Sequence, residues 1–182
     1  MVRPRRQGRR GSWRPKRIAA TGALEAVTIG VSLRPAVPED RVFLFELHRA
    51  SMGPQIEERY GPWDDAVQRE FFDRWFRPEH TAIIQVGGDD VGVLAFEERD
   101  DDVYVTRIEI RPDRQGQGIG TAVLRRLLEQ AHEAGKAVSL HVLERNPARE
   151  LYRRLGFTVR GEADGRISMR ADPRPRRRSS QG

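Results

Sequence analysis

Between Ile108 and Thr121 the chain reads Ile-Glu-Ile-Arg-Pro-Asp-Arg-Gln-Gly-Gln-Gly-Ile-Gly-Thr, a strand-like run that passes through alternating glycines into a helical pattern. Glycine lets a backbone turn through positive φ and approach a ligand closely, and a helix start presents N–H groups that the helix itself cannot satisfy. With the partial positive charge of that helix end, the combination is suited to cradling a pyrophosphate. Two nucleotide-binding patterns are excluded on residues. A dinucleotide fingerprint needs Gly where Thr121 stands, and a Walker-type phosphate loop needs a lysine that the segment lacks.

Three further side chains can move or hold protons. Tyr152 carries a phenol that keeps its proton at neutral pH, because a free tyrosine titrates at about 10. His141 carries the side-chain type that serves most readily as a general base near neutrality. Glu109 alternates with Ile108 and Ile110 and so faces the other side of its strand, where it either holds a relay water or is a polar residue of a half-buried strand. The remaining histidines show no metal-ligand spacing: His132-Glu133 lacks the second histidine of a zinc-protease helix, and the chain has no cysteine. No metal is expected, and disulfides are excluded.

The elements that must position these residues can be read from periodicity. Val31 to Arg34 reads as a strand, and Pro38-Glu39-Asp40 opens a helix that continues to about Ser51. A second helical stretch covers Asp64 to Phe76, with Val67, Phe71, Phe72 and Trp75 on one side. Ala82 to Val86 and Val91 to Glu98 form strands around a Gly87-Gly88-Asp89-Asp90 loop, and Val103 to Ile110 follows as a third strand. Ile119 to Ala134 is an amphipathic helix ended by Gly135. Val138 to Leu143 is a strand, Pro147 to Leu155 a short helix, and Phe157 to Gly161 with Ile167 to Arg170 a last hairpin around Asp164-Gly165. The order β-α-α-β-β-β-α-β-α-β-β predicts an α/β fold with a central mixed sheet flanked by helices.

The glycine segment resembles the acetyl-CoA motif of the GNAT superfamily of N-acetyltransferases, [QR]-x-x-G-x-[GA], which Gln115-Gly116-Gln117-Gly118-Ile119-Gly120 matches in full. A second segment, from Asn146 through Leu151-Tyr152-Arg153-Arg154-Leu155-Gly156-Phe157, is similar to that family's N-x-x-A-…-L-Y-x-x-L-G-F pattern. Its Asn146 and Tyr152 are six apart where many members have seven. The resemblance implies acetyl-CoA as co-substrate, with pyrophosphate contacts from Gly116 to Thr121 and pantetheine pairing along Ile108, Glu109 and Ile110. It also implies CoA contacts at Asn146 and Tyr152, with Tyr152 beside the sulfur as general acid, and thioester polarisation by N–H groups near Ile110. In some relatives a glutamate occupies the place of His141, which makes His141 a candidate base beside Glu109; other members use water alone.

The expected activity is direct acetyl transfer to a primary amine of a small molecule or a peptide. In this family the segment before the central strands shapes the acceptor site, here Leu47 to Arg77 with Glu46, Glu57, Glu58, Asp64, Asp65, Tyr60, Trp63 and Trp75. Acids and aromatics there suit a cationic amine; the same residues also serve as solvated helix faces and core. A non-catalytic acyl-CoA sensor on the same fold is the alternative within the resemblance.

Of the 182 residues, positions 1–30 carry a formal +7 and 170–182 a formal +4, which leaves −5 on the body although the whole chain is +6. The division implies one domain over 31–170 between disordered basic tails, 1–30 and 171–182. Such tails are either solvated arms without a partner or nucleic-acid contacts. Trp13 is the lone aromatic residue of the first thirty, which is poor equipment for base stacking. No apolar run is long enough for a membrane span. The absence of cysteine fits a cytoplasmic location, while the basic, acid-poor N-terminus also fits a transit peptide. Sheet-edge pairing leaves monomer and homodimer both open.

Overall fold

Seven strands form one sheet in the order β1-β2-β3-β4-β5-β7-β6. The computed structural model describes residues 30–173; the expected disordered tails lie almost wholly outside the described residues. In chain order the elements are β1 (Val31–Pro35), α1 (Arg41–Tyr60), α2 (Asp65–Trp75), β2 (Thr81–Val86), β3 (Asp89–Glu98) and β4 (Asp102–Ile110). They continue with α3 (Ile119–Glu133), β5 (Ala137–Leu143), α4 (Ala148–Arg154), β6 (Thr158–Ala163) and β7 (Arg166–Ala171). Neighbouring strands are antiparallel except β4 and β5, which run parallel with α3 as the crossover between them.

Each face of the sheet has its own core. On one face Ile119, Val123, Leu124, Leu127, Leu128 and Ala131 of α3 pack on Leu94, Val105, Leu140 and Met169, with Tyr152 and Phe157 in the same cluster. On the other, Leu44, Phe45 and Leu47 of α1 and Phe72 of α2 pack on Ile83 and Val93. The spacing of apolar residues in α3 is what lets one stripe of that helix enter the first core.

The structure lengthens or trims several expected elements. Gly87 and Gly88 alone form the β2–β3 turn, because both adopt positive φ and a two-residue hairpin needs no more. Asp89 and Asp90 therefore lie in β3 rather than in the loop. The first helix does not stop near Ser51 but runs to Tyr60 through Gly53 and Pro54, which read locally as a stop signal. Burial of Gly53 near Trp63 and a hydrogen bond from Arg59 Nη2 to the carbonyl of Asp164 (3.1 Å) tie the distal half of α1 to the rest of the fold. In α2 only part of the expected apolar side is inward: Phe72 is buried, whereas Val67 and Phe71 are 46% and 55% exposed. The guanidinium of Arg74 covers the Phe71 ring instead.

Arg34 of β1 fastens the start of α1 to the β2–β3 hairpin. Its guanidinium donates to both carboxylate oxygens of Asp40 (2.8 and 2.7 Å) and also pairs with Asp90. The hydrogen bonds from Arg34 hold both carboxyls below the usual aspartate range. A depressed folded-state pKa stabilises above the unfolded value and loses that contribution as pH falls through the folded one. Arg34→Met is therefore expected to cost about 2 kcal/mol at pH 7, a penalty that shrinks below about pH 4. Urea unfolding of both proteins at pH 7 and pH 3.5 checks this.

Candidate active site

The parallel pairing of β4 with β5 runs from Asp102↔Ala137 to Val105↔Leu140 and stops, although β4 continues to Ile110 and β5 to Leu143. The cause lies in β4. Ala95 pairs with Arg107 and Phe96 with Val105, so Thr106 is an extra residue, a bulge that bends the strand. Beyond it the strands part. Arg111 N–H donates to Val91 O toward β3 (2.9 Å), so by strand alternation the backbone groups of Ile108 and Ile110 turn toward the gap. The Ile110 carbonyl is taken by Gln115 Nε2 (2.9 Å), and by the same alternation the Ile110 N–H faces the gap.

At the end of this gap the chain enters α3. Gly116 and Gly118 have φ of +73° and +80°, and Gly118 is the N-cap residue, with no side-chain cap. The N–H groups of Ile119, Gly120 and Thr121 precede the first helical bond, Ala122 N–H to Gly118 O (3.0 Å). They form an uncapped cluster of donors, which fits a bound anion. A Cβ at Gly116 would meet nothing within 4 Å, so the approach to the loop is open. Gln115 and Gln117 turn back onto the carbonyls of Ile110 and Asp113 and brace the loop from within. The sequence motif thus arrives as one structural unit from Ile108 to Thr121. Gly120 adjoins Leu151 of α4, which brings the loop beside the helix of Tyr152.

Tyr152 is 7% exposed and packs edge-on against Phe157. Gly156, at φ +93°, ends α4 and lets Phe157 N–H bond back to Tyr152 O (3.0 Å), which is why Leu-Gly-Phe follows the tyrosine. Burial pushes the Tyr152 phenol up to about 12, so its proton is secure at neutral pH. Its hydroxyl has no hydrogen-bond partner among the described residues. Asn146 Oδ1 accepts from Ala148 N–H (2.8 Å) and starts α4.

His141 is the first residue of β5 beyond the last rung with β4. Its Nδ1 lies 2.9 Å from the hydroxyl of Tyr104, itself covered by the Arg99 guanidinium. Sequence reading missed Tyr104. It stands on β4 three residues before Arg107, and its relation to His141 depends on the β4–β5 register. Tyr152 belongs to the α3-side core, whereas Glu109 faces α1. Tyr152 therefore packs on the α3 side of the sheet, and His141 pairs with Tyr104 across the strands that part.

Glu109 is 6% exposed. Arg107 Nη1 donates to its Oε1 (2.5 Å), His48 Nδ1 stands 3.0 Å from the same oxygen, and Ser51 Oγ stands 3.2 Å from Oε2. Burial by itself would raise this carboxyl, but His48 and Arg107 together hold it below the usual glutamate range. His48 and Ser51 were not singled out from sequence; a histidine and a serine three apart on one helix carry no motif. Of the expected acceptor residues, Trp63 and Trp75 pack on the α1–α2 core, Asp64 caps α2 through Ala66 and Val67 N–H, and Tyr60 is exposed. Among the described residues no group of three or more His, Asp or Glu is gathered as a metal ion would need, and no helix is long and apolar enough to cross a membrane.

Comparison with known proteins agrees with this geometry. An uncharacterized N-acetyltransferase of Methanocaldococcus jannaschii is 32% identical over 96 residues, which is 48% of this chain and 42% of that relative. The chain thus spans less than half the length of the curated relative it matches. Among solved structures, the paia N-acetyltransferase of Thermoplasma acidophilum in complex with coenzyme A has a TM-score of 0.65 at 14% identity, covering 78% of this chain and 98% of that one. The ribosomal-protein-S18-alanine N-acetyltransferase of Escherichia coli has a TM-score of 0.59 at 20% identity, covering 79% and 94%. These two likenesses show the fold. Residues 43–157, which include the split strands, the glycine loop and Tyr152, match the Acetyltransferase (GNAT) family, and the chain belongs to that family.

Proposed function

We propose that the protein transfers an acetyl group from acetyl-CoA to a primary amine, with both reactants meeting in the gap between β4 and β5. The observation that carries this reading is the split itself, which ends at an uncapped helix start with open glycines. The fit is with a long, anionic co-substrate: Ile119, Gly120 and Thr121 N–H for its pyrophosphate, and the free edge of Ile108 to Ile110 for its pantetheine amides. Bound acetyl-CoA supplies an activated acyl carbon as its thioester. The Ile110 N–H is a fixed donor for the oxygen on which negative charge develops. An alkyl ammonium must lose a proton before it can attack, and His141, oriented by Tyr104, accepts that proton through its free nitrogen or one water. On the other side of the opening Tyr152 Oη donates a proton to the departing sulfur. The burial that raises the phenol also raises the basicity of a thiolate beside it, which keeps that transfer within reach.

The test is a calorimetric titration with acetyl-CoA followed by thiol release with three acceptors: an alanine-terminated peptide, spermidine and a free amino acid. The likeness to the ribosomal-protein alanine N-acetyltransferase puts the peptide first. Failure to bind acetyl-CoA would end the reading. With the best acceptor, His141→Gln is expected to lower kcat about 50-fold at neutral pH, with partial recovery on adding imidazole. Unchanged turnover would assign the amine proton to water.

A further inference from the structure

We infer that Glu109 is a positioning residue that clamps α1 to the thioester side of the gap. Its backbone lies between Ile108 and Ile110, whose backbone groups edge the gap, while its side chain reaches the opposite way into α1. Arg107 Nη1 bridges the carboxylate and the helix, donating to Glu109 Oε1 and standing 2.8 Å from His48 Nδ1, itself 3.0 Å from that oxygen, and Ser51 Oγ stands 3.2 Å from Oε2. His48 and Ser51 lie three apart on α1, on the same helix face, so two successive holds fix both the depth and the rotation of the helix. The holders are themselves fixed. Arg107 stacks on the Trp75 ring at 4.0 Å, the His48 ring stands near Trp63 and Trp75, and the single Ser51 hydroxyl proton is shared between Glu109 and the Leu47 carbonyl, 2.7 Å from Oγ.

The strand is gripped from its other neighbour too. A Cβ at Gly92 of β3 would come within 2.5 Å of Glu109 O, so only glycine lets β3 approach this closely. A glutamate in this place is a poor proton acceptor for an amine. Arg107 donates to its Oε1 and neutralises its charge, and its basicity is reduced. What the arrangement does provide is a rigid link between two walls. One is the β4 edge facing the acetyl donor, and the other is α1, whose far end is tied by Arg59 to the β6–β7 turn. The kinetic consequence rests on the acetyl-transfer reading above; the structural consequence does not.

The experiment compares the full chain with Glu109→Gln, His48→Gln and the double variant. Hydrogen exchange is expected to rise about tenfold at α1 amides around residues 44–55 in Glu109→Gln, with β2, β6 and β7 unchanged, and the acetyl-CoA dissociation constant rises about threefold. His48→Gln gives the same local pattern, and the double variant adds little to either single one. A rise spread evenly over all elements, in step with a lower melting temperature, would make Glu109 a general stability residue and overturn the proposal. So would unchanged α1 exchange. Kinetics with the alanine-terminated peptide give a further readout: a clamp raises the acceptor KM more than it lowers kcat. A base lowers kcat by two orders of magnitude with α1 exchange unchanged, which would overturn the proposal. Absence of wild-type turnover would remove the transferase reading and leave the exchange comparison to decide the clamp.

Discussion

Tyr152→Phe is expected to lower kcat by about 100-fold or more, while the acetyl-CoA dissociation constant stays within about threefold. The substitution removes one oxygen from a side chain that keeps its packing against Phe157, so the fold has no reason to change. The hydroxyl has no internal hydrogen bond to lose among the described residues, and the melting temperature should be equal to or slightly above that of the wild type. The effect then falls on the proton delivered to the departing sulfur. Because burial lifts the phenol to about 12, the wild type shows no alkaline loss of activity from this group below about pH 10, whereas an ordinary tyrosine would begin to titrate there. Steady-state kinetics from pH 6 to pH 10, with calorimetry of acetyl-CoA, separate the two parameters. Equal kcat for Tyr152→Phe and the wild type would move the acid role elsewhere. Weak acetyl-CoA binding by the variant would point to a binding role instead.

Gly118→Val is expected to weaken acetyl-CoA binding at least 30-fold. Gly118 sits at φ +80°, a left-handed conformation that costs a β-branched residue roughly 1–2 kcal/mol or more. The chain escapes that strain by rotating away, and the rotation misaims the N–H groups of Ile119, Gly120 and Thr121 that follow. An anion held by several donors at once is sensitive to such a turn, since each misaligned bond to a charged oxygen forfeits about 1.5–3 kcal/mol. The rest of the fold has the α3 core to hold it, so the thermal midpoint should fall only a few degrees. Calorimetric titration of acetyl-CoA beside a thermal melt checks both halves. Retained affinity in a folded variant would mean that the glycine loop does not carry the pyrophosphate. The neighbouring Gly116 is the control: at φ +73° it carries similar strain but lies before the helix start, so Gly116→Ala should cost less affinity.

Much of this protein was legible in its residues because the signals are local. The glycine loop, the amphipathic stripe of α3 and the Leu-Gly-Phe ending of α4 are each written within a dozen positions, where φ preference and helical period act directly. Misreadings arose where distant contacts override local preference. Gly53-Pro54 is a stop signal by propensity, yet α1 continues because its second half has Trp63 and the β6–β7 turn to hold it. Phe71 is apolar and in helical register, yet it lies outside because α2 presents Phe72 and Trp75 to the core.

The same division runs through the site. The residues alone locate a glycine-alternating loop between a strand and a helix, and put a tyrosine, a histidine and a glutamate on particular elements. What those side chains touch follows from the packing of distant elements. The bulge at Thr106 opens the gap between β4 and β5, the strand register brings His141 onto Tyr104, and α1 supplies His48 and Ser51 to a glutamate some sixty positions away. The reason is physical: backbone conformation responds to neighbours along the chain, whereas the partners of a buried charge are set by packing across it, and no spacing along the sequence encodes them.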